Sequence, residues 1–379
     1  MYLKSAKLCK RVAKIAILQM LMNAKQQLGQ FYTKNTGYIL QGLAGFVKGK
    51  NVVDPFAGAG DLLKWAKANR AGSVTGYDIE HDSLRNPQKY EFVLTNPPYL
   101  YQNNMKDKSL LKNSKHTDLY QLSLEKIMDS EEGIAIVPIN FLSAENSKYI
   151  RELFLSKFEI KKANYFSEQV FEDTTYNVIA FYYRKKSANT MSIDFTIYPQ
   201  KKRVKIKLYK KYNWQIGGEF LAQINACSNK LRIGRLEEED LQPGNRTIKA
   251  AYNHLSHIKE FNVNDEIASK LKQNIVVLKA IDSSCKICLE DIRNYNLDAL
   301  VSLKTSRHQI QLLFPETVSV QEQEKIIELF NNEIETQRNR YYSLFMTNYR
   351  DNGRKRISFT FAYNLVNFLY FNVLKEIKV

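Results

Sequence analysis

The sequence has few cysteines and no long apolar run. Four cysteines in 379 residues are too few and too unevenly spaced for a disulfide framework, so we expect a reducing, cytoplasmic environment. No apolar stretch approaches the roughly 18 residues that cross a bilayer, and no membrane partner is expected. The basic start followed by Ile15–Met22 is similar to a signal peptide, but no small-residue cleavage site follows, and secretion is not predicted. Residues 2–27 instead have the spacing of an amphipathic helix.

Motifs of several other enzyme classes are absent as well. A Gly-rich segment at residues 54–60 lacks the third glycine of a dinucleotide site, and it lacks the lysine and Ser/Thr of a phosphate-binding loop. No Ser/His/Asp arrangement is evident, and neither is the Pro-Asp…Glu-x-Lys pattern of a nuclease. Cys285 and Cys288 could combine with His254 and His257 as zinc ligands. Reduced structural thiols are the favoured interpretation of this single CxxC, so no metal site is predicted.

The chain is strongly basic in both halves. Its formal net charge is +17, from 56 Lys and Arg against 39 Asp and Glu. Residues 1–190 carry 27 basic and 18 acidic side chains, and residues 191–379 carry 29 and 21. Solubility alone calls for a net charge of about 2–8. The excess favours a polyanionic partner, either nucleic acid or an acidic membrane surface.

Between Asn51 and Tyr183, short apolar strands alternate with helical segments. The strands are predicted near Val52-Val53, Ser73–Tyr77, Phe92–Leu94, Ile134–Val137 and Val178–Tyr183. This alternation is typical of a parallel sheet with helices on both faces, an α/β fold. A hairpin over residues 193–212, further mixed strands and a helix near residues 320–339 indicate a second, α+β domain. We place the boundary near residue 188, which gives domains 1–188 and 189–379.

One strand of the predicted hairpin alternates strictly between apolar and basic residues. The period of two places Val204, Ile206 and Leu208 on one face and Arg203, Lys205 and Lys207 on the other. This basic face is either a solvated strand surface or a surface that follows the phosphates of a nucleic acid.

The segment Val52–Gly60 runs from an apolar strand into a glycine turn. Glycines at this position let the backbone approach a ligand at the carboxyl edge of the sheet. Asp54 at the strand end suits a ligand with an ammonium group and would repel pyrophosphate. Asp78 ends the next predicted strand, where an acid can accept hydrogen bonds from ribose hydroxyls. Asp82 could bind the amine of an adenine ring, or it could be a helix N-cap or turn residue.

The segment Phe92–Tyr99 is the most informative in the chain. An apolar strand ends in Asn96, Pro97, Pro98 and Tyr99. Because prolines lack an N–H donor, this part of the loop presents carbonyl groups only. The side-chain oxygen of Asn96 and the carbonyl of Pro97 can then both accept from one amino group and make its lone pair available. Tyr99 offers a ring for stacking, which contributes about 1–3 kcal/mol per base.

These motifs in this order resemble the amino-methyltransferases of bacterial restriction–modification systems. The likeness covers Gly29–Thr33, Asp54–Gly60, Asp78 and Asn96–Tyr99, within residues 28–185. The order resembles the N6-adenine subgroup in which the cofactor motifs precede the target-recognition domain. The resemblance implies a Rossmann-like domain, the cofactor S-adenosylmethionine and a double-stranded DNA substrate with a flipped-out adenine. A cognate restriction endonuclease encoded nearby is an implied partner.

The resemblance also implies roles for individual residues. The cofactor set that it implies is Tyr32, Thr33, Asp54, Phe56, Gly58, Gly60, Asp78 and Asp82. Within this set, Asp54 and the glycines would line the methionine end, Asp78 would take the ribose and Asp82 the adenine amine. Phe171, in a Val-Phe segment, would be the second stacking face for the target base, with Tyr176 as the runner-up. The catalytic set is therefore Asn96, Pro97, Tyr99 and Phe171.

Two departures from the family pattern and two alternatives stand beside this interpretation. Lys34 replaces a frequent proline, and the interval from Asp78 to Asn96 is short. Cytosine-N4 members usually have serine where Asn96 stands, so the resemblance favours adenine. One alternative is a methyltransferase of RNA bases or of a protein glutamine, because the same loop can accept any planar amine. The other is a DNA-binding specificity subunit with a vestigial site.

Overall fold

The computed structural model describes residues 33–77, 82–172, 174, 176–186, 189–282, 286–346, 348–349 and 355–376. The predicted helix over residues 2–27 lies outside these ranges, as do Tyr32 and Asp78. The described chain divides into two compact units, of which one reaches Ile216 and the other begins at Gly217. Among the described helices, none combines the length and the apolar composition that crossing a membrane requires.

A sheet of eight strands forms the first unit. The strands are β1 (Asn51–Asp54), β2 (Ser73–Gly76), β3 (Tyr90–Thr95), β4 (Ser130–Pro138), β5 (Phe158–Phe166), β6 (Val178–Lys185), β7 (Thr190–Tyr198) and β8 (Lys202–Tyr209). Their spatial order is β2-β1-β3-β4-β6-β5-β7-β8. Strands β6 and β8 run opposite to the other six, so the sheet is mixed and not wholly parallel as predicted. The predicted Rossmann-like α/β class is confirmed.

The helices of this unit connect the strands. They are α1 (Thr36–Ile39), α2 (Asp61–Ala68), α3 (Leu119–Lys126), α4 (Asn140–Ser143) and α5 (Lys148–Lys157). Helix α3 begins after Asp118, whose side chain accepts a hydrogen bond from the Tyr120 amide. The central strands are buried apolar runs, as Phe92–Thr95 and Gly133–Pro138 show. Burial of this kind is typical of strands that are covered on both faces.

The predicted hairpin belongs to the first unit. Strand β7 pairs in parallel with β5, and β8 pairs antiparallel with β7 in a register that joins Ile193 to Ile206. Ile206 and Leu208 are buried while the basic residues between them are exposed, as the alternation predicts. Because the hairpin extends the large sheet, the division between the units comes at Ile216 and not near residue 188.

The later part of the chain alternates short strands with helices. The strands are β9 (Gly234–Arg235), β10 (Arg246–Tyr252), β11 (His254–Val263), β12 (Val276–Lys279), β13 (Ile281–Asp282), β14 (Cys288–Asp291), β15 (Ala299–Val301), β16 (Gln309–Leu313), β17 (Asn348–Tyr349) and β18 (Lys355–Arg356). The helices are α6 (Gly218–Asn225), α7 (Asp265–Lys272), α8 (Val320–Tyr341) and α9 (Phe359–Leu369), the last followed by a π-helical turn (Tyr370–Leu374). The strands form three small sheets, β11-β10-β15, β14-β12-β16-β9 and β13-β18-β17.

The longest helix, α8, is close to its predicted position. It begins with a capping box, in which the Ser319 side chain accepts from the Glu322 amide and Glu322 binds the Ser319 amide. Its buried positions, which include Ile326, Phe330 and Ile334, recur at helical spacing. Strands and helices of this kind match the α+β architecture predicted for the second domain.

Candidate active site

The ends of β1 and β3 bring two predicted functional segments together. The two strands pair in parallel, with Val53 opposite Val93. Asp54 is the last residue of β1, and Asn96 directly follows β3. Carboxyl ends of neighbouring parallel strands lie at the same edge of a sheet, which is where α/β folds bind ligands. The structure therefore places the predicted cofactor motif beside the predicted reaction centre.

Asp54 is buried at this edge, with 1% of its surface exposed. Its Oδ1 atom accepts from the amide of Phe56 at 3.0 Å and from the hydroxyl of Thr95 at 2.9 Å. Burial raises the pKa of the carboxyl to about 7, although both hydrogen bonds act in the opposite direction. A buried carboxyl with such a pKa is poised to ionise when a cation binds beside it.

The glycine turn after Asp54 has the backbone conformation that glycine favours. Gly58 and Gly60 have φ angles of 50° and 73°, which L side chains rarely adopt. The Ala57 amide donates to the carbonyl of Tyr77 at 2.9 Å, and the Tyr77 amide donates to the carbonyl of Asp54 at 2.9 Å. These bonds join the turn to the end of β2, whose next residues include Asp78, outside the described residues.

The chemistry of this edge fits S-adenosylmethionine. The cofactor carries an ammonium group, and the buried carboxyl of Asp54 is an anion of the complementary kind. Phe56 is half-buried and Gly58 is exposed. The assignment of Asp54, Phe56, Gly58 and Gly60 to the methionine end stays a prediction, as do the assignments to Tyr32 and Asp78.

The side-chain amide of Asn96 is held at both ends. Its Nδ2 atom donates to the hydroxyl oxygen of Thr33 at 3.1 Å, and its Oδ1 atom accepts from the hydroxyl of Tyr99. Thr33 is 4% exposed, so this contact is shielded from water. These two contacts hold the side-chain amide of Asn96 in place at the strand edge.

Tyr99 is buried and does not present an open ring face. It is 2% exposed, and its hydroxyl also lies 2.7 Å from the carbonyl oxygen of Ile136. Burial raises the pKa of the Tyr99 hydroxyl well above its ordinary value, so the group stays neutral and can donate. Pro97 is buried and Pro98 half-buried beside it. Stacking of a base on Tyr99 would require the ring to leave this position.

Phe171 lies in a segment that is linked to the Thr33 loop. Lys34 Nζ is 3.4 Å from Glu172 Oε2. Lys34 directly follows Thr33 in the chain, and Glu172 directly follows Phe171. Both partners of this ion pair are highly exposed, so the contact contributes little energy. Phe171 itself is 4% exposed, whereas Tyr176 is half-buried. The predicted stacking role of Phe171 stays a prediction that requires its ring to become accessible.

Asp82 occupies a turn. Its φ angle is 46°, and its carbonyl accepts from the amides of Arg85 and Asn86 at 2.9 Å. Its carboxylate pairs with Arg85 at 2.6 Å. This is the turn geometry that the sequence allowed as an alternative, and a contact with the cofactor adenine would have to compete with Arg85.

Thr95 is a site residue that the sequence interpretation did not identify. Its hydroxyl binds Asp54, and its neighbour Asn96 binds Thr33, so it stands between the two motifs. The available signal was a polar residue at the buried end of an apolar strand, where a hydroxyl needs a partner. Among the described residues no group of three metal-ligating side chains exists, and Cys285 lies outside them.

The first part of the chain matches a known family model. Residues 8–171 match the model of the family described as Eco57I restriction-modification methylase. That range holds Asp54, Asn96, Tyr99 and Phe171. The resemblance to restriction–modification methyltransferases is thereby confirmed for these residues, and S-adenosylmethionine is the cofactor that agrees with a methylase match. No curated protein matches the chain.

Several solved structures match part of the chain. A modification subunit of a putative type I restriction enzyme from Vibrio vulnificus YJ016 is 18% identical over 58% of this chain and 58% of that chain, with a TM-score of 0.38. The methyltransferase subunit of a type I restriction-modification system from Streptococcus thermophilus is 15% identical over 53% and 61%, with a TM-score of 0.37. The type IIL restriction-modification enzyme MmeI, solved with DNA, is 10% identical over 77% and 48%, with a TM-score of 0.42. The match thus spans less than two thirds of each of these proteins.

Proposed function

We propose that this protein is a site-specific DNA methyltransferase that methylates the N6 amine of adenine. In this proposal it is the modification enzyme of a restriction–modification system, it acts on double-stranded DNA in the cytoplasm, and a cognate endonuclease is its functional partner. The arrangement of Asn96 carries the proposal. Its amide is fixed by Thr33 and Tyr99 at the strand edge that also holds Asp54.

The first role of the protein is to activate a poor nucleophile. The lone pair of the adenine amine is delocalised into the ring. In this proposal the Oδ1 atom of Asn96 accepts one amine hydrogen, and the Pro97 carbonyl accepts the other. Both acceptors draw the nitrogen toward tetrahedral geometry and direct its lone pair outward. Preorganised hydrogen bonds of this kind stabilise the transition state without further rearrangement.

The second role is to bind the methyl donor. S-adenosylmethionine supplies an electrophilic methyl group on its sulfonium. We assign its ammonium group to the ionised carboxylate of Asp54. Phe56, Gly58 and Gly60 would contact the cofactor near that group. The assignments of Asp78 to the ribose, of Asp82 to the adenine amine, and of Tyr32 and Thr33 to the cofactor loop follow from the resemblance.

The third role is to hold the target base outside the helix. An adenine in a stacked duplex cannot bring its amine to the sheet edge, so the base must be flipped out at a cost of a few kcal/mol. Tyr99 and Phe171 are the proposed stacking partners. Since both rings are buried in this structure, the proposal includes their rearrangement when the base enters.

A methylation assay tests the proposal. The protein is incubated with S-adenosylmethionine and duplex DNA, duplex RNA or a glutamine-containing protein, and products are separated as nucleosides or peptides by mass spectrometry. We expect N6-methyldeoxyadenosine from DNA and no product from the other substrates. Detection of methylcytosine, methylated RNA or methylglutamine would show that the substrate is not adenine in DNA. Cofactor binding without transfer to any substrate would indicate a vestigial site.

A further inference from the structure

The last strand of the large sheet carries a dense set of exposed cations. Strand β8 is an edge strand, because only β7 pairs with it in the sheet order. The exposed basic residues on it and at its ends are Lys201, Lys202, Arg203, Lys205, Lys207, Lys210 and Lys211. No Asp or Glu occurs between residues 195 and 218. We call these seven residues the β8 basic strip.

The neighbouring strand does little to neutralise the β8 basic strip. Opposite Arg203, Lys205 and Lys207 on β7 are Thr196, Asp194 and Ser192. Asp194 is the one acid among these three, and its carboxylate lies 3.9 Å from Lys205 Nζ. The side chains of this pair are 78% and 68% exposed, so water screens their attraction. This exposed pair does not cancel the positive charge that Arg203, Lys205 and Lys207 present together.

We propose that the β8 basic strip binds the sugar-phosphate backbone of duplex DNA, as a contact that belongs to the catalytic unit. The inference rests on the proposed function. Alternate residues of a strand follow each other at about 6.8 Å, and duplex DNA carries one charge per about 1.7 Å of its axis, so each cation meets a phosphate within reach. Six of the seven cations are lysines, which supply charge to phosphates and do not read bases bidentately. The contact is therefore independent of DNA sequence.

Protection of a sheet edge does not account for this set of charges. Lysines on edge strands do prevent pairing with other chains. The opposite edge strand of the same sheet, β2, consists of Ser73, Val74, Thr75 and Gly76 and has no charged side chain. One edge is thus neutral and the other strongly basic, which favours a specific polyanionic partner at β8.

The test compares DNA binding by the wild type with that by a variant carrying Arg203→Gln, Lys205→Gln and Lys207→Gln. Affinity for a labelled duplex is measured by fluorescence anisotropy between about 50 and 200 mM salt. Each phosphate contact adds about 0.9 to the slope of log affinity against log salt, so three lost contacts should reduce the slope by about 2.7. We expect S-adenosylmethionine binding to be unchanged, since the three side chains lie on the exposed hairpin face.

A matched control removes the same charge elsewhere in the unit. Lys48, Lys67 and Arg70 are exposed residues that precede β1 or β2, and all three are changed to Gln. Equal slopes for the two variants, or an unchanged slope for the β8 variant, would overturn the proposal, as would a loss of binding to duplex RNA only. Aggregation of the β8 variant with normal DNA binding would show edge protection instead. In each of these cases the proposed function is still supported if the wild type methylates DNA. If the wild type does not methylate DNA, the proposed function is contradicted.

Discussion

Asn96 donates a hydrogen bond from its side-chain amide to the hydroxyl oxygen of Thr33, 63 positions earlier in the chain, at 3.1 Å. The contact joins the loop before the first strand to the loop after the third. Thr33 would hold the cofactor according to the family resemblance, but in the structure it orients the proposed reaction centre. If Thr33 also contacts the cofactor, it couples cofactor binding to the position of the Asn96 amide, which accepts the target amine in the proposed mechanism.

Thr33 is accordingly expected to affect turnover. Thr33→Val removes the acceptor and leaves the shape, so the Asn96 amide loses one of the two bonds that fix it. Such a bond contributes about 0.5–1.5 kcal/mol, which corresponds to a fall in kcat of up to about tenfold. Thr33→Ser keeps the hydroxyl and should restore the rate. If instead Thr33→Val weakens S-adenosylmethionine binding in a calorimetric titration and leaves kcat unchanged, Thr33 acts on the cofactor alone.

Asn96 itself is expected to be essential for transfer. Loss of a preorganised hydrogen-bonding group at a reacting centre costs on the order of 10²–10³ in rate. Asn96→Ala should therefore abolish measurable methylation and leave S-adenosylmethionine binding nearly intact. Asn104→Ala, at an exposed asparagine in the following loop, is the matched control. Near-normal turnover by Asn96→Ala would show that the reaction centre is elsewhere.

Tyr99 can be tested for two different roles with one substitution. Tyr99→Phe keeps the ring but removes the hydroxyl that donates to Asn96 and lies beside the Ile136 carbonyl. If the hydroxyl positions Asn96, kcat should fall several-fold, because the free-energy contribution of one buried hydrogen bond is lost. A purely stacking role predicts a normal rate for Tyr99→Phe and a loss only for Tyr99→Ala. Single-turnover kinetics on duplex DNA separate the two.

The pKa of Asp54 predicts how cofactor binding depends on pH. The pKa is raised to about 7 by burial, so the carboxyl is largely protonated below that pH. Binding an ammonium group requires the carboxylate, so affinity should increase by about tenfold from pH 6 to pH 8. In Asp54→Asn this dependence should disappear and affinity should be low throughout. A wild-type affinity that does not vary with pH would exclude Asp54 as the ammonium partner.

Unfolding experiments are a less selective measure of Asp54. A raised carboxyl pKa contributes stability that is complete below about pH 4 and is lost as the pH rises through about 7. Desolvation also raises the pKa of the buried Asp118 to about 7. Both groups therefore lower the free energy of unfolding over the same pH range, and ligand titration is needed to isolate Asp54.

Phe171 is expected to support base flipping. Phe171→Ala should slow methylation of a paired adenine more than that of an adenine opposite a mismatch, where extrusion is easier. Tyr176→Ala serves as the comparison, because Tyr176 is the neighbouring aromatic ring and is more exposed than Phe171. A 2-aminopurine at the target position should brighten when the wild type binds. If Phe171→Ala slows the paired and the mispaired targets equally, Phe171 contributes to packing and not to base flipping.

The sequence predicted those parts of the fold that depend on local pattern. Apolar runs located β1, β3, β4 and β6, and strict alternation located the β7–β8 hairpin and its two faces. Strand β5 was not predicted, because a register shift between Ile160 and Lys162 interrupts its alternation. The compact units divide at Ile216 and the predicted domains near residue 188, and the two differ because local composition does not show that β7 pairs with β5.

The sequence by itself determined which side chains the candidate site contains, because the order of Asp54, the glycine turn and Asn96–Tyr99 is a property of the chain. Only the tertiary structure decided which of these residues contact one another. Parallel pairing of β1 with β3 brings the Thr95 hydroxyl within hydrogen-bond distance of Asp54, and Thr33 accepts a hydrogen bond from Asn96. It also decided that Tyr99 and Phe171 are buried. The physical reason is that burial and hydrogen-bond partners depend on segments distant in sequence, which local residue patterns do not specify.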